Sequence, residues 1–185
     1  MTGALVPLSR LLNKPIPSHA MAIPLLRVVD ADDLDQLLAV YSDAVTSQAG
    51  PFYQQAQIKA WSTHPYATEA VAEALRRGRA LASCASGDPA TIEAFALLDP
   101  IDRLSLLYCR GRSSRQGRAT ALVQAVEDLA RQQGCQQLRT EASQLSRPLL
   151  LRQGWQLEAE ERVQFAGVSF LRWRMIKSLD NRAHG

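Results

Sequence analysis

Apolar and polar residues repeat with two different periods along this chain, and the switches between them mark out its elements. Leu104, Leu106 and Tyr108 alternate with Ser105, Leu107 and Cys109, and the run stops at Arg110-Gly111, as a buried strand does. Further on, Ala121, Leu122, Ala125, Val126, Leu129 and Ala130 recur every three to four positions, so they share one face of a helix. Gly134 ends that helix, with Arg131 in its last turn. Residues 104–133 therefore form a strand, a glycine-bearing basic loop and a helix.

The same periods place the remaining elements. Residues 25–29 read as a short strand, and Asp30, Asp32 and Asp33 supply caps and acids for a helix whose face carries Leu34, Leu37, Leu38, Tyr41 and Val45. Gly50-Pro51 breaks the pattern; helices follow over 54–61, before His64-Pro65, and over 68–77, before Gly78. Strands over 79–85 and 92–98 flank the turn Ser86-Gly87-Asp88-Pro89. After the central unit come a strand over 137–141, a short helix over 146–152 with Pro148 in its first turn, and strands over 155–165 and 168–176 about Ala166-Gly167, a hairpin turn. Strands interleaved with helices give an α/β fold, and no internal repeat or low-complexity tract interrupts it.

Residues 1–22 hold no acid and show no sustained period, so an unstructured N-terminal arm is expected there. Ala20-Met21-Ala22 also has the small-residue look of a cleavage site, though no continuous apolar segment precedes it, and Met21 is an alternative start. A single domain over 23–180 and a tail over 181–185 complete the expected organisation.

The loop carries the chemistry. Ser114, Arg115, Gln116, Gly117, Arg118 and Ala119 precede the helix, expected to begin at Thr120, whose first amides lack partners and carry the positive end of the dipole. Such a start captures phosphate. Gly117 and Ala119 leave room for a diphosphate, and Arg110, Arg112, Arg115 and Arg118 supply four cations or, on the other reading, a solvated face. Five residues separate Gly111 from Gly117 and no Lys-Ser/Thr follows, which excludes the P-loop. The G-x-G-x-x-G fingerprint is missing, and Arg139 stands where an acid for a ribose belongs.

Composition narrows the function classes. The 185 residues carry Lys+Arg 21 against Asp+Glu 18, a formal charge of +3 that does not call for nucleic acid. Cys84, Cys109 and Cys135 are odd in number and lack C-x-x-C, so neither a disulfide framework nor a zinc site is indicated, and a reducing cytoplasm suits them. No apolar run approaches the roughly 18 residues of a membrane helix. No metal is expected.

Residues 108–119 resemble the Y-V-x-P-x-x-Q/R-x-x-G-x-G/A core of the GNAT superfamily of acetyl-CoA-dependent N-acetyltransferases, with Gly117 and Ala119 at the two small positions, Ser114 where Gln or Arg is usual and Gly111 where Pro is common. The resemblance runs from about Leu26 to Leu179. Tyr53, Gln57, Ala60 and Trp61 look like the Y-x-x-x-Q-x-x-A-W helix of one bacterial branch. Glu141-Ala142-Ser143 is similar to its fifth-strand end, Gln153-Gly154-Trp155 to the opening of its sixth strand, and Met175, Lys177 and Leu179 to its closing M-x-K-x-L.

The resemblance implies a mixed, centrally splayed GNAT-type sheet flanked by helices. It implies acetyl-CoA as co-substrate, held by Leu107, Tyr108, Cys109, Ser114, Arg115, Gln116, Gly117, Arg118, Ala119, Thr120 and Ser143, with main-chain groups of 107–109 polarising the thioester carbonyl. It implies a small-molecule or peptide amine as acceptor, no membrane partner, and a monomer or homodimer. Tyr53 and Trp61 are candidates for the acceptor pocket or for plain packing, and His64 for the pocket or an ordinary loop position. A lysine-like amine with pKa near 10.4 costs about 4.6 kcal/mol to deprotonate at pH 7, an α-amine about 1. Glu141 is the leading candidate base, against a structural carboxylate, and Ser105 sits where an acid would otherwise point into the cleft. The family's usual Tyr acid is replaced by Leu150. Tyr108 stands as a substitute acid or a core residue. A CoA thiol near pKa 8.5 leaves at only about 2 kcal/mol above its protonated form, so activity without an acid is consistent. The rivals are a non-catalytic CoA-dependent sensor and, with few stacking aromatics in the loop, an RNA binder.

Overall fold

A computed structural model describes residues 24–63, 68–77 and 79–179. The expected arm, the tail, His64 and Gly78 lie outside them. In chain order the elements are β1 (Leu26–Val28), α1 (Leu34–Gln48), α2 (Gln55–Thr63), α3 (Thr68–Arg76), β2 (Ala80–Ala85), β3 (Asp88–Leu98) and β4 (Leu104–Cys109). There follow α4 (Arg118–Gln132), β5 (Gln137–Ala142), α5 (Arg147–Arg152), β6 (Gln156–Phe165) and β7 (Val168–Ser178).

Two antiparallel sheets carry the fold, one ordered β1-β2-β3-β4 and the other β5-β7-β6. They meet at the start of β4. There an isolated parallel bridge joins Arg103 to Arg139, the Arg139 amide donates to the Asp102 carbonyl over 2.9 Å, and the Thr140 hydroxyl donates to the Leu104 carbonyl over 2.7 Å. Past Leu104 the two strands share no ladder, so the sheet is mixed and splayed at its centre.

Helices cover the first sheet on both faces, with β3 sending Ile92, Phe95 and Leu97 into one core and Ala94, Ala96 and Leu98 into the other. Leu37, Val40, Tyr41 and Val45 of α1 pack with Ala82, Ile92 and Phe95 of β2 and β3 in one core. Leu122, Val126 and Ala130 of α4 pack with Leu138, Trp155, Trp173 and Met175 in the other. Trp155 is 2% exposed, and its indole Nε1 donates to Glu127 over 3.0 Å, so its single polar atom is satisfied inside the core. Ala166 (φ 48°) and Gly167 (φ 77°) both take left-handed backbone between β6 and β7, the turn that follows the twist of a two-residue hairpin.

Boundaries shift from the sequence reading at several ends, and two of the shifts have a local cause. The strand expected from Ile92 begins at Asp88, because the Asp88 carboxylate takes the Ala90 amide and the Thr91 hydroxyl and the turn tightens to Ser86-Gly87. The helix expected from Thr120 begins at Arg118. Gly117 caps it in left-handed backbone (φ 78°) and its carbonyl accepts the Ala121 amide over 2.9 Å.

Candidate active site

A cleft of about 1180 Å³ opens where β4 and β5 part. Its floor is set by the register of β4. Cys109 lies opposite Ala94 and Tyr108 opposite Phe95, and the Arg110 amide donates to the Glu93 carbonyl over 2.8 Å. In an antiparallel ladder the bonded pairs alternate, so Tyr108 spends its main-chain groups on β3 while Leu107 and Cys109 turn theirs toward the cleft. Of the expected polarising set, 107 and 109 face the opening and 108 does not. The Cys109 carbonyl is already held by Gln48 Nε2 over 2.7 Å, which leaves the two amides.

One wall is the loop and the start of α4. Among the described residues, the amides of 115 to 120 have no hydrogen-bond partner, and Ser114, Arg115, Gly117, Ala119 and Thr120 line the cleft. Six consecutive donors at a helix N-terminus form a cradle for an anion. Gln116 turns its side chain back to the Arg112 carbonyl.

Of the four arginines expected to supply cations, Arg112, Arg115 and Arg118 line the cleft, and their side chains differ in what they are tied to. Arg118 is 9% exposed and runs into the core, where Nη1 donates to the Ser83 hydroxyl and the Cys84 carbonyl and Nε has no partner. Arg110 donates to the Ile92 carbonyl, and Arg112 pairs with Glu93 at 2.5 Å. Of the four only Arg112 has an ion-pair partner among the described residues, and Arg115, in left-handed backbone (φ 60°), is the one whose side chain makes no hydrogen bond to them. The loop is shaped by hydrogen bonds from behind rather than by its own charges.

Those bonds come from residues that local sequence reading passes over. Glu93, 5% exposed on β3, accepts from the Ser113 hydroxyl over 2.6 Å as well as from Arg112, and these bonds hold its carboxyl below the usual carboxylate range against desolvation. The Asp43 carboxylate of α1 accepts the Gly111 amide over 2.8 Å. A Cβ on Gly111 would lie 2.8 Å from Ser47 Cβ, so the loop is pressed onto α1 at a point that admits only glycine. An acid at an otherwise apolar strand position, Glu93 among Ile92, Ala94 and Phe95, was the one available signal.

The opposite wall holds the catalytic candidates. Glu141 lines the cleft, and its Oε2 accepts Arg103 Nε at 2.8 Å and Nη2 at 2.6 Å, so the carboxylate enters the site as half of an ion pair. Tyr108 also lines it, in contact with Tyr41 (centroids 4.6 Å), and its hydroxyl accepts Trp61 Nε1 over 3.2 Å. Trp61 reaches the cleft; Tyr53 does not line it, and its hydroxyl instead accepts the Gln144 amide over 2.9 Å. Ser143 borders the opening, but its hydroxyl accepts the Ser146 amide and holds the start of α5. Gln57 accepts the Gln54 amide and donates to the Ser169 carbonyl, binding α2 to the β6–β7 hairpin.

Three further positions bear on proton traffic. Leu150 is 1% exposed and offers no proton. Ser105 donates to the Leu97 carbonyl. Burial pushes the Cys109 thiol up to about 11, so it is neutral near pH 7. Among the described residues no cluster of three or more His, Cys, Asp or Glu could hold a metal ion, and no helix is long and apolar enough to cross a membrane.

A sheet parted beside a cradle of free amides is the architecture of an acyltransferase enzyme. The acetyltransferase (GNAT) domain model matches residues 49–177, and the chain belongs to this family. Similar solved structures include a GCN5-related N-acetyltransferase from Rhodopseudomonas palustris, 23% identical with TM-score 0.78 over 85% of this chain and 97% of that one. The paia N-acetyltransferase from Thermoplasma acidophilum, solved with coenzyme A, is 16% identical with TM-score 0.65 over 83% and 98%. The yncA protein from Salmonella typhimurium, solved with its cofactor acetyl-CoA, is 19% identical with TM-score 0.62 over 88% and 97%. No curated protein is matched by sequence.

Proposed function

We propose that this protein moves an acetyl group from acetyl-CoA to an amine by direct attack. The observation that carries the reading is the run of unpartnered amides from 115 to 120 beside a strand whose 107 and 109 amides face the same cleft. The first set suits a diphosphate and the second a thioester carbonyl, whose oxygen gains charge as the amine adds. Among the expected side chains Arg115 supplies the cation nearest the cradle, while Arg118 contributes its amide and not its guanidinium.

The amine nitrogen bonds to the acetyl carbon and the carbon–sulfur bond breaks with its electron pair on sulfur. Glu141 takes the amine proton directly or through water, with Arg103 orienting the carboxylate. The leaving thiolate needs no dedicated acid, as its ordinary pKa near 8.5 puts it about 2 kcal/mol above the thiol at pH 7; the Tyr108 hydroxyl is the group able to return a proton. The neutral Cys109 thiol supports attack without an acyl-enzyme.

The test is release of free CoA thiol from acetyl-CoA, with the acetylated amine identified by mass, across a panel of amines. Thiol release coupled one to one to amide formation supports the proposal. No amide with any amine, at saturating acetyl-CoA, contradicts it.

A further inference from the structure

The cleft is charged at one end and apolar at the other. Arg112, Arg115 and Arg152 border it around the loop and α5. On the α1–α2 side Val45, Pro51, Phe52, Trp61, Tyr108 and Leu145 line it, with Phe52 49% exposed; of the polar α1 residues beside them, Ser47 spends its hydroxyl on the Asp43 carbonyl. Glu141 is the sole acid among the described lining residues, and Arg103 already neutralises it at 2.6 Å. Gln48, the polar neighbour of Val45, is committed to the Cys109 carbonyl.

A strongly basic amine arrives as a cation, so beyond a proton acceptor a site serving it needs an anion with charge to spare to bind it. Aromatic faces can substitute for that anion, but Trp61 is met edge to face by Tyr53, Tyr108 and Phe170, with centroids 5.2, 6.4 and 6.3 Å away, and encloses no open box for a cation. A weakly basic amine arrives largely neutral, so it needs no anion to bind it, only an acceptor for the proton it sheds after attack, and an apolar body matches the lining.

We infer that the acceptor is a weakly basic amine carried on an apolar or aromatic body, and that polyamines and lysine side chains are excluded; this rests on the acetyl-transfer reading above. Two sources share that chemistry, the α-amine of a peptide with an apolar first residue and a free arylamine. In either, the nitrogen forms the bond to the acetyl carbon, sulfur keeps the electron pair of the broken bond, and the surplus proton passes to Glu141 or water.

The experiment compares kcat/KM at pH 7 for phenylalaninamide and 4-methylaniline against Nα-acetyl-lysinamide and spermidine, with acetyl-CoA binding measured calorimetrically alongside. The expected result is a preference of about 100-fold or more for at least one weakly basic amine, the pKa gap alone being worth about that much; which of the two reacts tells peptide from arylamine. Phe52→Asp, which adds a carboxylate at the exposed mouth, is expected to raise the relative rate with spermidine several-fold at unchanged acetyl-CoA affinity. Spermidine or the lysinamide within about tenfold of the better weak base overturns the inference, as does bound acetyl-CoA with neither weak base acetylated. Failure of acetyl-CoA to bind brings down the transfer reading, and this inference with it.

Discussion

Arg118 borders the cleft but is only 9% exposed, its guanidinium tied to Ser83 and Cys84 in the core. Buried cations without a carboxylate partner are costly, and replacing one by an apolar side chain of similar length is close to neutral, whereas truncation leaves a void. Arg118→Met should therefore change stability by no more than about 1 kcal/mol and acetyl-CoA affinity by less than about threefold, while Arg115→Ala weakens binding by about three- to tenfold through its lost charge-assisted contact. Calorimetry and thermal melts on the two variants check this pair of outcomes. Cys109 gives a second residue-scale expectation. With its thiol pushed up to about 11 by burial, Cys109→Ser should keep most of the activity, and iodoacetamide at pH 7 should not inactivate the enzyme. Loss of turnover with loss of a trapped acyl-thiol would count against direct attack. Spacing alone could not separate Arg118 from Arg115, because Arg115 sits in the loop in left-handed backbone while Arg118 opens the helix, and that change of backbone is not written in the spacing.

At the scale of elements, the phosphate-loop candidate is a strap held from behind by α1 and β3. Glu93 is its central anchor, and its carboxyl is lowered first by the Arg112 hydrogen bond and then by Ser113. A carboxyl depressed in the folded state contributes stability above the ordinary carboxylate range and loses that contribution as pH falls through its folded value. Glu93→Gln should thus cost about 1–3 kcal/mol at pH 7, from the lost charge-assisted bonds, and the gap to the natural protein should close below about pH 4. Thermal melts across pH check it; a gap that stays constant into acid would mean the ion pair contributes nothing. The strand, loop and helix of this unit were legible from the change of hydrophobic period, and Gly117 from its place between them. What was not legible was the strap's support: Asp43, Ser47, Gln48 and Glu93 lie 18 or more positions away in sequence, and only tertiary packing brings them under Gly111 and Ser113.

For the whole molecule, one feature sets what the fold can do: β4 and β5 are joined at Leu104 and part beyond it. Neither strand's periodicity announces the parting, since both read as ordinary strands; it was reached in the sequence only through the likeness of residues 108–119 to a family motif. The substitution of Leu150 for an expected acid was legible, and its full burial follows from its neighbours in the second core. Calorimetric titration of acetyl-CoA into the natural protein and into Gly117→Glu tests the central claim most directly, with far-UV circular dichroism confirming that the variant is folded. The account predicts saturable one-to-one binding for the natural chain and none for the variant, whose carboxylate would stand where a diphosphate meets the amides of 115 to 120. No binding to the natural chain at millimolar acetyl-CoA, or equal binding to both folded proteins, would contradict it.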